Sequence, residues 1–160
     1  IVRTELTLLH LSYGSNMFRA RIEARLGPCE RLGAAYLTRH ALRFHKVGGR
    51  DGTGKCDAFH TGRPDDRVWG ALDRLTDAQI TKLDGIEGPG YRREPVRVTL
   101  GEQSMDATLY LAKPEARDAG LQPLDWYKNL VLAGARELCL PQGYIGAIEA
   151  VPTLPDLRVQ

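Results

Sequence analysis

The chain has 160 residues, and its 22 Lys and Arg against 20 Asp and Glu leave a net charge of +2. So small a positive excess argues against a surface that binds nucleic acid or membranes by charge. Hydrophobic residues make up 42% and charged residues 26%, a composition that excludes a disordered chain and is typical of a folded globular protein. Because domains run to about 100–200 residues, we expect one domain covering residues 1–160.

The cysteines and the first residues indicate a cytoplasmic protein. Cys29, Cys56 and Cys139 are odd in number and widely spaced, which excludes a fully paired disulfide framework and favours a reducing compartment. Residues 1–11 lack the apolar centre and cleavage site of a signal peptide, and no apolar run is long enough to span a bilayer. Neither a CxxC nor an HExxH motif is present, so we expect no metal site.

The first third of the chain predicts a strand, a sharp turn and a helix. The strand covers residues 6–12 and runs into the turn Tyr13-Gly14-Ser15-Asn16. Asn16 is a good helix cap, and the apolar spacing predicts a helix over residues 17–26 that Gly27-Pro28 ends. The inward face of this helix is expected to carry Phe18, Ile22 and Leu26.

The middle of the chain predicts short strands and one capped helix. Strands are expected around Leu42 to His45 and over residues 68–72, with a glycine-rich loop over residues 48–54 between them. Thr76 and Gln79 form a capping box, which predicts a short helix that ends at Gly85.

The last third predicts a hairpin followed by two helices. The strands of the hairpin carry alternating apolar residues on either side of Gly101, namely Val96, Val98 and Leu100, then Ala107, Leu109 and Leu111. One helix begins near Asp125 and another at Pro141. The elements do not alternate as in a βαβ protein, so the order favours an α+β fold with a mixed or closed sheet.

The turn Tyr13-Gly14-Ser15-Asn16 is the first candidate site. A strand that turns sharply into a helix presents free backbone N–H groups, which favour an anion or a developing oxyanion. Residue types alone favour the simpler interpretation, a strand-to-helix turn capped by Asn16. Ser15 lacks the GxSxG surroundings of a hydrolase nucleophile, so a catalytic triad is not expected.

Glu87 is the second candidate, since it lies between glycines just after a predicted helix end, where apolar neighbours would raise the pKa of a general base. A solvent-facing loop carboxylate is the commoner use of this residue type. The histidines, His10, His40, His45 and His60, are scattered and predict no shared site. The glycine-rich loop matches no phosphate-binding motif, so it is interpreted as a surface turn or a lid.

Five segments in order resemble the γ-glutamylcyclotransferase family. They are Tyr13-Gly14-Ser15-Asn16-Met17, the DGTGK loop at residues 51–55, Val68-Trp69-Gly70, Leu83-Asp84-Gly85-Ile86-Glu87-Gly88 with Tyr91, and the helical pattern from Tyr127 to Tyr144. Each motif alone is weak, but together they cover nearly the whole chain. The stretch between Glu87 and Tyr91 is shorter than in some animal members, which affects the leaving-group side of the pocket.

The resemblance implies a small mixed β-barrel-like sheet flanked by helices, and an enzyme without metal or organic cofactor. The implied reaction is release of 5-oxoproline and a free amine from a γ-glutamyl compound, with Glu87 as the catalytic acid and base. The implied substrate-binding residues are His10, Leu11, Ser12, Tyr13, Gly14, Ser15, Tyr91 and Tyr110, with Tyr110 donating a hydrogen bond. The only partner implied is the small-molecule substrate, without nucleic acid or membrane, and a homodimer stays open.

Two alternatives stay open beside this reaction. The domain could be a non-catalytic module that binds γ-glutamyl or other small ligands. It could also be a pathway enzyme that removes a γ-glutamyl protecting group. The residues Asn16-Met17-Phe18 do not match the YGSLxW motif of the glutathione-specific branch, and Ser15-Asn16 disfavours the γ-glutamylamine branch, which typically reads YGT-L.

Overall fold

The computed structural model describes residues 5–158, and a closed five-stranded barrel forms its centre. The strands are β1 (Thr7–Ser12), β2 (Glu30–Thr38), β3 (His40–Val47), β4 (Gly54–His60), β5 (Arg67–Thr76), β6 (Tyr91–Leu100) and β7 (Gln103–Ala112). The helices are α1 (Arg19–Leu26), α2 (Asp77–Glu87), α3 (Asp125–Glu137) and α4 (Gln142–Glu149). Short 3-10 turns cover Ser15–Met17 and Pro114–Ala116. In the part of the chain described, no helix is both long and apolar enough to cross a membrane.

The barrel has the strand order β1-β5-β2-β6-β7, and β3 and β4 form a separate two-stranded hairpin. Its neighbouring strands run antiparallel, except where β7 closes the barrel by lying parallel to β1 at Thr108 and His10. The predicted hairpin around Gly101 is the β6–β7 pair, with Gly101 at φ 61° in the turn. The α+β class with a closed, barrel-like sheet is therefore confirmed.

Two strands, β2 and β4, are missing from the sequence prediction. The register of β2 shifts between Arg31 and Gly33, and this irregularity interrupts the two-residue alternation that identifies a strand. In β4, Cys56, Asp57 and Ala58 are all buried in succession, so no alternation is visible there either. Both strands owe their place to partners that are distant in the sequence.

Two helix boundaries differ from the prediction. Helix α1 begins at Arg19 with Phe18 as its N-cap, and the predicted capping role of Asn16 is wrong because the intervening 3-10 turn directs the Asn16 side chain elsewhere. The capping box of Thr76 and Gln79 is confirmed at the start of α2. However, α2 passes through Gly85 and ends at Glu87, because Gly88, at φ 80°, is the glycine that adopts the left-handed conformation at its end.

Helix α3 packs directly on the turn that follows β1. A Cβ atom added at Gly134 would lie 2.5 Å from the Met17 Cβ and 2.6 Å from the Phe18 nitrogen, so only glycine permits this approach. Tyr127 and Val131 of this helix are buried. The turn is thereby fixed between the barrel on one side and α3 on the other.

Candidate functional site

A pocket of about 860 Å³ opens where the turn after β1, the end of α2 and the β3–β4 hairpin meet. Its wall contains Glu87 and every residue that the sequence analysis assigns to substrate binding: His10, Leu11, Ser12, Tyr13, Gly14, Ser15, Tyr91 and Tyr110. Residues that are more than seventy positions apart in the chain therefore share one cavity. The volume falls within the range of about 300–1,000 Å³ that is usual for small-molecule sites.

The turn presents backbone donors to this pocket. The N–H groups of Gly14, Ser15 and Asn16 donate to no acceptor among residues 5–158, while Met17 N–H already bonds to the Gly14 carbonyl oxygen at 3.1 Å. A Cβ atom at Gly14 would lie 3.2 Å from the Cys56 Cβ and 3.3 Å from the Tyr127 hydroxyl oxygen. The turn is thus held tightly against β4 and α3, and N–H groups without an acceptor at a fixed turn are the type of donor that suits an anion.

A buried ion pair supports the turn from below. The Arg31 guanidinium donates to Asp73 at 2.8 and 3.1 Å, and the exposed fractions of the two side chains are 8% and 0%. The same guanidinium donates to the carbonyl oxygens of Met17 at 2.6 Å and Asn16 at 3.4 Å. These bonds fix the peptide groups that join Asn16 to Met17 and Met17 to Phe18, and so hold the end of the turn in place.

Glu87 is the last residue of α2, and its carboxylate lies beside the turn. The Asn16 amide donates a hydrogen bond to Glu87 Oε1 at 3.2 Å. Burial raises the pKa of Glu87, although the positive charges of Arg25, Lys46 and Arg21 and the Asn16 hydrogen bond oppose that shift. A carboxyl group with a raised pKa is suited to accept a proton and give it back near neutral pH.

Two arginines of α1 complete this corner of the pocket. Arg25 donates to the Asn16 side-chain oxygen at 3.3 Å, and Arg21 donates to the Ser15 hydroxyl at 2.9 Å. Neither arginine is predicted from the sequence, and neither is the contact between Asn16 and Glu87. Their spacing of four residues, which places both on one face of the helix after the turn, is the signal that could have identified the arginines.

His10 is a neutral part of the wall. Its ring is 2% exposed, Nδ1 lies 3.0 Å from the Thr108 hydroxyl, and the ring centre is 5.0 Å from that of Tyr110. Burial lowers the pKa of His10 to about 3, with the Arg93 charge acting in the same direction. His10 therefore stays uncharged at neutral pH and contributes shape and polarity to the pocket.

The tyrosine hydroxyls of the wall are bonded within the protein. Tyr13 donates to the Tyr110 carbonyl oxygen, Tyr91 donates to the Cys56 carbonyl oxygen at 2.5 Å, and Tyr110 donates to Asp84 at 2.6 Å. The Tyr110 hydroxyl proton thus points to Asp84 here, and its donation to a ligand stays a prediction. In contrast, the buried Ser12 hydroxyl has no hydrogen-bond partner among the described residues.

The other histidines lie outside the pocket wall. His45 bonds to the buried Asp57 at 2.7 Å, and the rings of His40 and His60 contact each other with their centres 5.0 Å apart. Both pairs belong to the β3–β4 hairpin, so the prediction that the four histidines form no common site agrees with their positions. Across residues 5–158, no group of three or more His, Cys, Asp or Glu is placed to hold a metal ion.

The glycine-rich loop contributes Gly48 to Asp51 to the pocket wall. The Asp51 carboxylate accepts bonds from the Thr53 N–H at 2.9 Å and the Lys55 ammonium at 3.2 Å, and it lies 3.7 Å from Arg158. These bonds hold the loop as one side of the cavity. It is therefore part of the site and more than a surface turn.

The comparisons with known proteins agree with this architecture. Residues 67–148, just over half of the chain, match the AIG2-like family. Mouse γ-glutamylcyclotransferase is 28% identical over 160 residues, covering 91% of this chain and 79% of the relative, and the bovine protein is 26% identical over 145 residues, covering 86% and 75%. A solved γ-glutamyl cyclotransferase structure, 24% identical, has a TM-score of 0.84 and covers 95% of this chain and 92% of that chain.

The matched regions include the barrel strands, in the same order along the chain, and the segments that form the pocket wall. The matched family region contains both Glu87 and the helix α3 that packs on the turn. The predicted family resemblance is confirmed, and the chain belongs to the AIG2-like, or γ-glutamylcyclotransferase, family.

Proposed function

We propose that this protein is a cofactor-independent γ-glutamylcyclotransferase that uses Glu87 as its general acid and base. The observation that carries the proposal is the position of the Glu87 carboxylate in the pocket. It is bonded to Asn16 of a turn in which three N–H groups have no acceptor among the described residues. A base with a raised pKa beside a fixed set of N–H donors is the pair of features that acyl transfer requires. The names of the mouse and bovine relatives support the same activity.

The reaction needs no protein nucleophile, since the attacking amine and the carbonyl belong to one molecule. Glu87 takes a proton from the substrate α-ammonium, and the free amine attacks the γ-carbonyl carbon to form a new C–N bond. Glu87 returns this proton to the departing nitrogen as the γ-amide C–N bond breaks. The ring nitrogen then loses a second proton, which the released amine takes up, so that 5-oxoproline and an ammonium result. No water and no electron enters the balance, and holding the chain in the ring-closing conformation can supply about 7–11 kcal/mol.

The turn and the wall have separate tasks in this mechanism. The N–H groups of Gly14, Ser15 and Asn16 hold the glutamyl carboxylate or the oxyanion that develops on the γ-carbonyl oxygen. The unpartnered Ser12 hydroxyl is a further polar group for the glutamyl half. Neutral His10 forms the wall without competing for the proton, because its pKa lies far below neutral pH.

The test is incubation of the purified protein with a panel of γ-glutamyl amino acids and γ-glutamyl amines, with 5-oxoproline measured by mass spectrometry. We expect release of 5-oxoproline by the parent and a loss of about 10²–10⁴-fold in the Glu87→Gln variant. Calorimetric binding of the same compounds to that variant is the control for an intact pocket. Binding without any 5-oxoproline from the parent would refute the proposal and favour a binding module instead.

A further inference from the structure

The β3–β4 hairpin forms one side of the pocket, yet it belongs to a sheet of its own. Among residues 5–158 its two strands pair with each other and with no strand of the barrel. The hairpin nevertheless supplies Lys46, Cys56 and residues 48–51 of its loop to the pocket wall. The width of the pocket therefore depends on the contacts that hold this hairpin against the barrel.

A buried carboxylate lies where the hairpin meets the barrel. Asp57, on β4, has an exposed fraction of 0% and lies outside the pocket wall. Its Oδ1 accepts a hydrogen bond at 2.8 Å from the N–H of Ala112, the last residue of β7. Its Oδ2 lies 2.7 Å from His45 Nε2 and 3.4 Å from Arg117 Nε. One carboxylate thus joins both hairpin strands to the end of β7 and to the segment that follows.

The segment after β7 completes this junction. The Arg117 guanidinium donates to the Ala112 carbonyl oxygen at 2.9 Å, and the Asp118 N–H donates to the His45 carbonyl oxygen at 2.7 Å. The buried Nε of Arg117 has no hydrogen-bond acceptor among the described residues, so it depends on its ion pair with Asp57. Because an unpaired charge in a protein interior is costly, the Asp57 carboxylate stabilises the whole junction.

The residue before Asp57 connects this junction to the pocket. The Cys56 N–H donates to the Tyr127 hydroxyl oxygen at 3.0 Å, and the Cys56 carbonyl oxygen accepts a bond from the Tyr91 hydroxyl at 2.5 Å. Cys56 also lies against the turn, since a Cβ atom at Gly14 would be 3.2 Å from the Cys56 Cβ. A shift of β4 at Asp57 would therefore open the pocket wall between Tyr91 and Gly14.

We infer that Asp57 is a positioning residue that keeps the β3–β4 hairpin closed against the barrel and the pocket complete. Glu87 and the turn keep their places without it, because they belong to α2 and to the chain between the barrel and α3. When fewer molecules have a complete pocket, apparent affinity falls in proportion, while a bound substrate still reacts at the parent rate. Loss of Asp57 therefore raises KM and leaves kcat unchanged, an effect that rests on the proposed function, whereas closure of the hairpin does not.

The experiment uses Asp57→Asn, which keeps the side-chain shape and an acceptor for the Ala112 N–H but removes the charge opposite Arg117. Asp106→Asn is the matched control, because the ion pair of Asp106 with Arg97 is exposed. In hydrogen exchange followed by mass spectrometry, protected amides of residues 40–60 should exchange about tenfold faster in Asp57→Asn, the effect of one charge-assisted hydrogen bond. Amides of β1 and β5 should keep their rates, and the control should match the parent.

The kinetic measurement uses the γ-glutamyl compound that the parent converts fastest to 5-oxoproline. We expect KM to rise by about tenfold in Asp57→Asn with kcat per folded molecule unchanged. Faster exchange over the whole chain with an unchanged KM overturns the inference, because Asp57 would then serve global stability alone. Parent-like exchange in the hairpin also overturns it, and so does a faster-exchanging hairpin without a change in KM.

Two provisions keep the test decisive. If Asp57→Asn does not fold, the double variant Asp57→Asn, Arg117→Met leaves no charge of this pair unpaired, and the same measurements and outcomes apply to it. If the parent releases no 5-oxoproline, the proposed function fails, and exchange in residues 40–60 alone decides whether Asp57 holds the hairpin closed.

Discussion

The hydrogen bond from Asn16 to Glu87 predicts a shift of the pH profile when it is removed. A hydrogen bond to a charged group contributes about 1.5–3 kcal/mol, and the distance of 3.2 Å is at the long end, so the lower figure applies. About 1.4 kcal/mol corresponds to one pKa unit. The bond stabilises the ionised carboxylate and lowers its pKa, so Asn16→Leu should raise the pKa of Glu87 by about one unit.

The assay is kcat/KM for 5-oxoproline release from pH 4 to pH 10. In the proposed mechanism Glu87 acts ionised, so the acidic limb of the profile should move to higher pH by about one unit in Asn16→Leu. The alkaline side, which the substrate amine governs, should keep its position. Asn129→Leu is the matched control, since Asn129 is exposed on α3 and absent from the pocket wall. An acidic limb that stays in place, or that moves to lower pH because Arg25 swings to Glu87, would refute the reasoning.

Three further changes follow from the packing and the charges of the site. Gly134→Ala should destabilise the protein by about 1–3 kcal/mol in urea unfolding and also lower turnover, because the new methyl group would lie 2.5 Å from the Met17 Cβ; a variant as stable as the parent would contradict this close approach. Gly14→Val should reduce turnover per folded molecule far more than Cys56→Ser, since burial raises the pKa of the Cys56 thiol to about 12 and keeps it inert; equal losses would show that Cys56 has a role of its own. Burial raises the pKa of Glu87, so the stability that its protonated form provides is lost as pH rises through that pKa. Relative to the parent, Glu87→Gln should therefore gain in Tm between pH 5 and pH 8, and a relative loss would contradict the raised pKa.

Local sequence signals are sufficient to predict the elements that border the site. The β1 strand, the turn and the capping box of α2 are set by residues a few positions apart, and each was predicted close to its observed place. The predicted end of α2 is two residues too early. Glycines at positions 85 and 88 are both suitable residues to end a helix, and the sequence favours neither. Only the conformation of Gly88, at φ 80°, decides between them, and the sequence does not contain that angle.

Contacts between distant residues account for what the sequence analysis missed. The residue type of Asn16 suggests a helix cap, whereas its amide in fact joins Arg25 to Glu87, 71 positions away. The inward position of Lys46 could have been predicted from the sequence, since Lys46 continues the two-residue alternation of Leu42 and Phe44 on β3. That its ammonium lies on Tyr91 depends on how the hairpin packs against the barrel, which no local pattern specifies.

Glu87 shows why burial and positive charge occur together in this pocket. Burial alone would keep the carboxyl group protonated, and a protonated group cannot accept a proton from the substrate ammonium. The charges of Arg25, Lys46 and Arg21 without burial would make the carboxylate too weak a base to do so. The two effects oppose each other, and burial prevails, so the pKa of Glu87 stays raised.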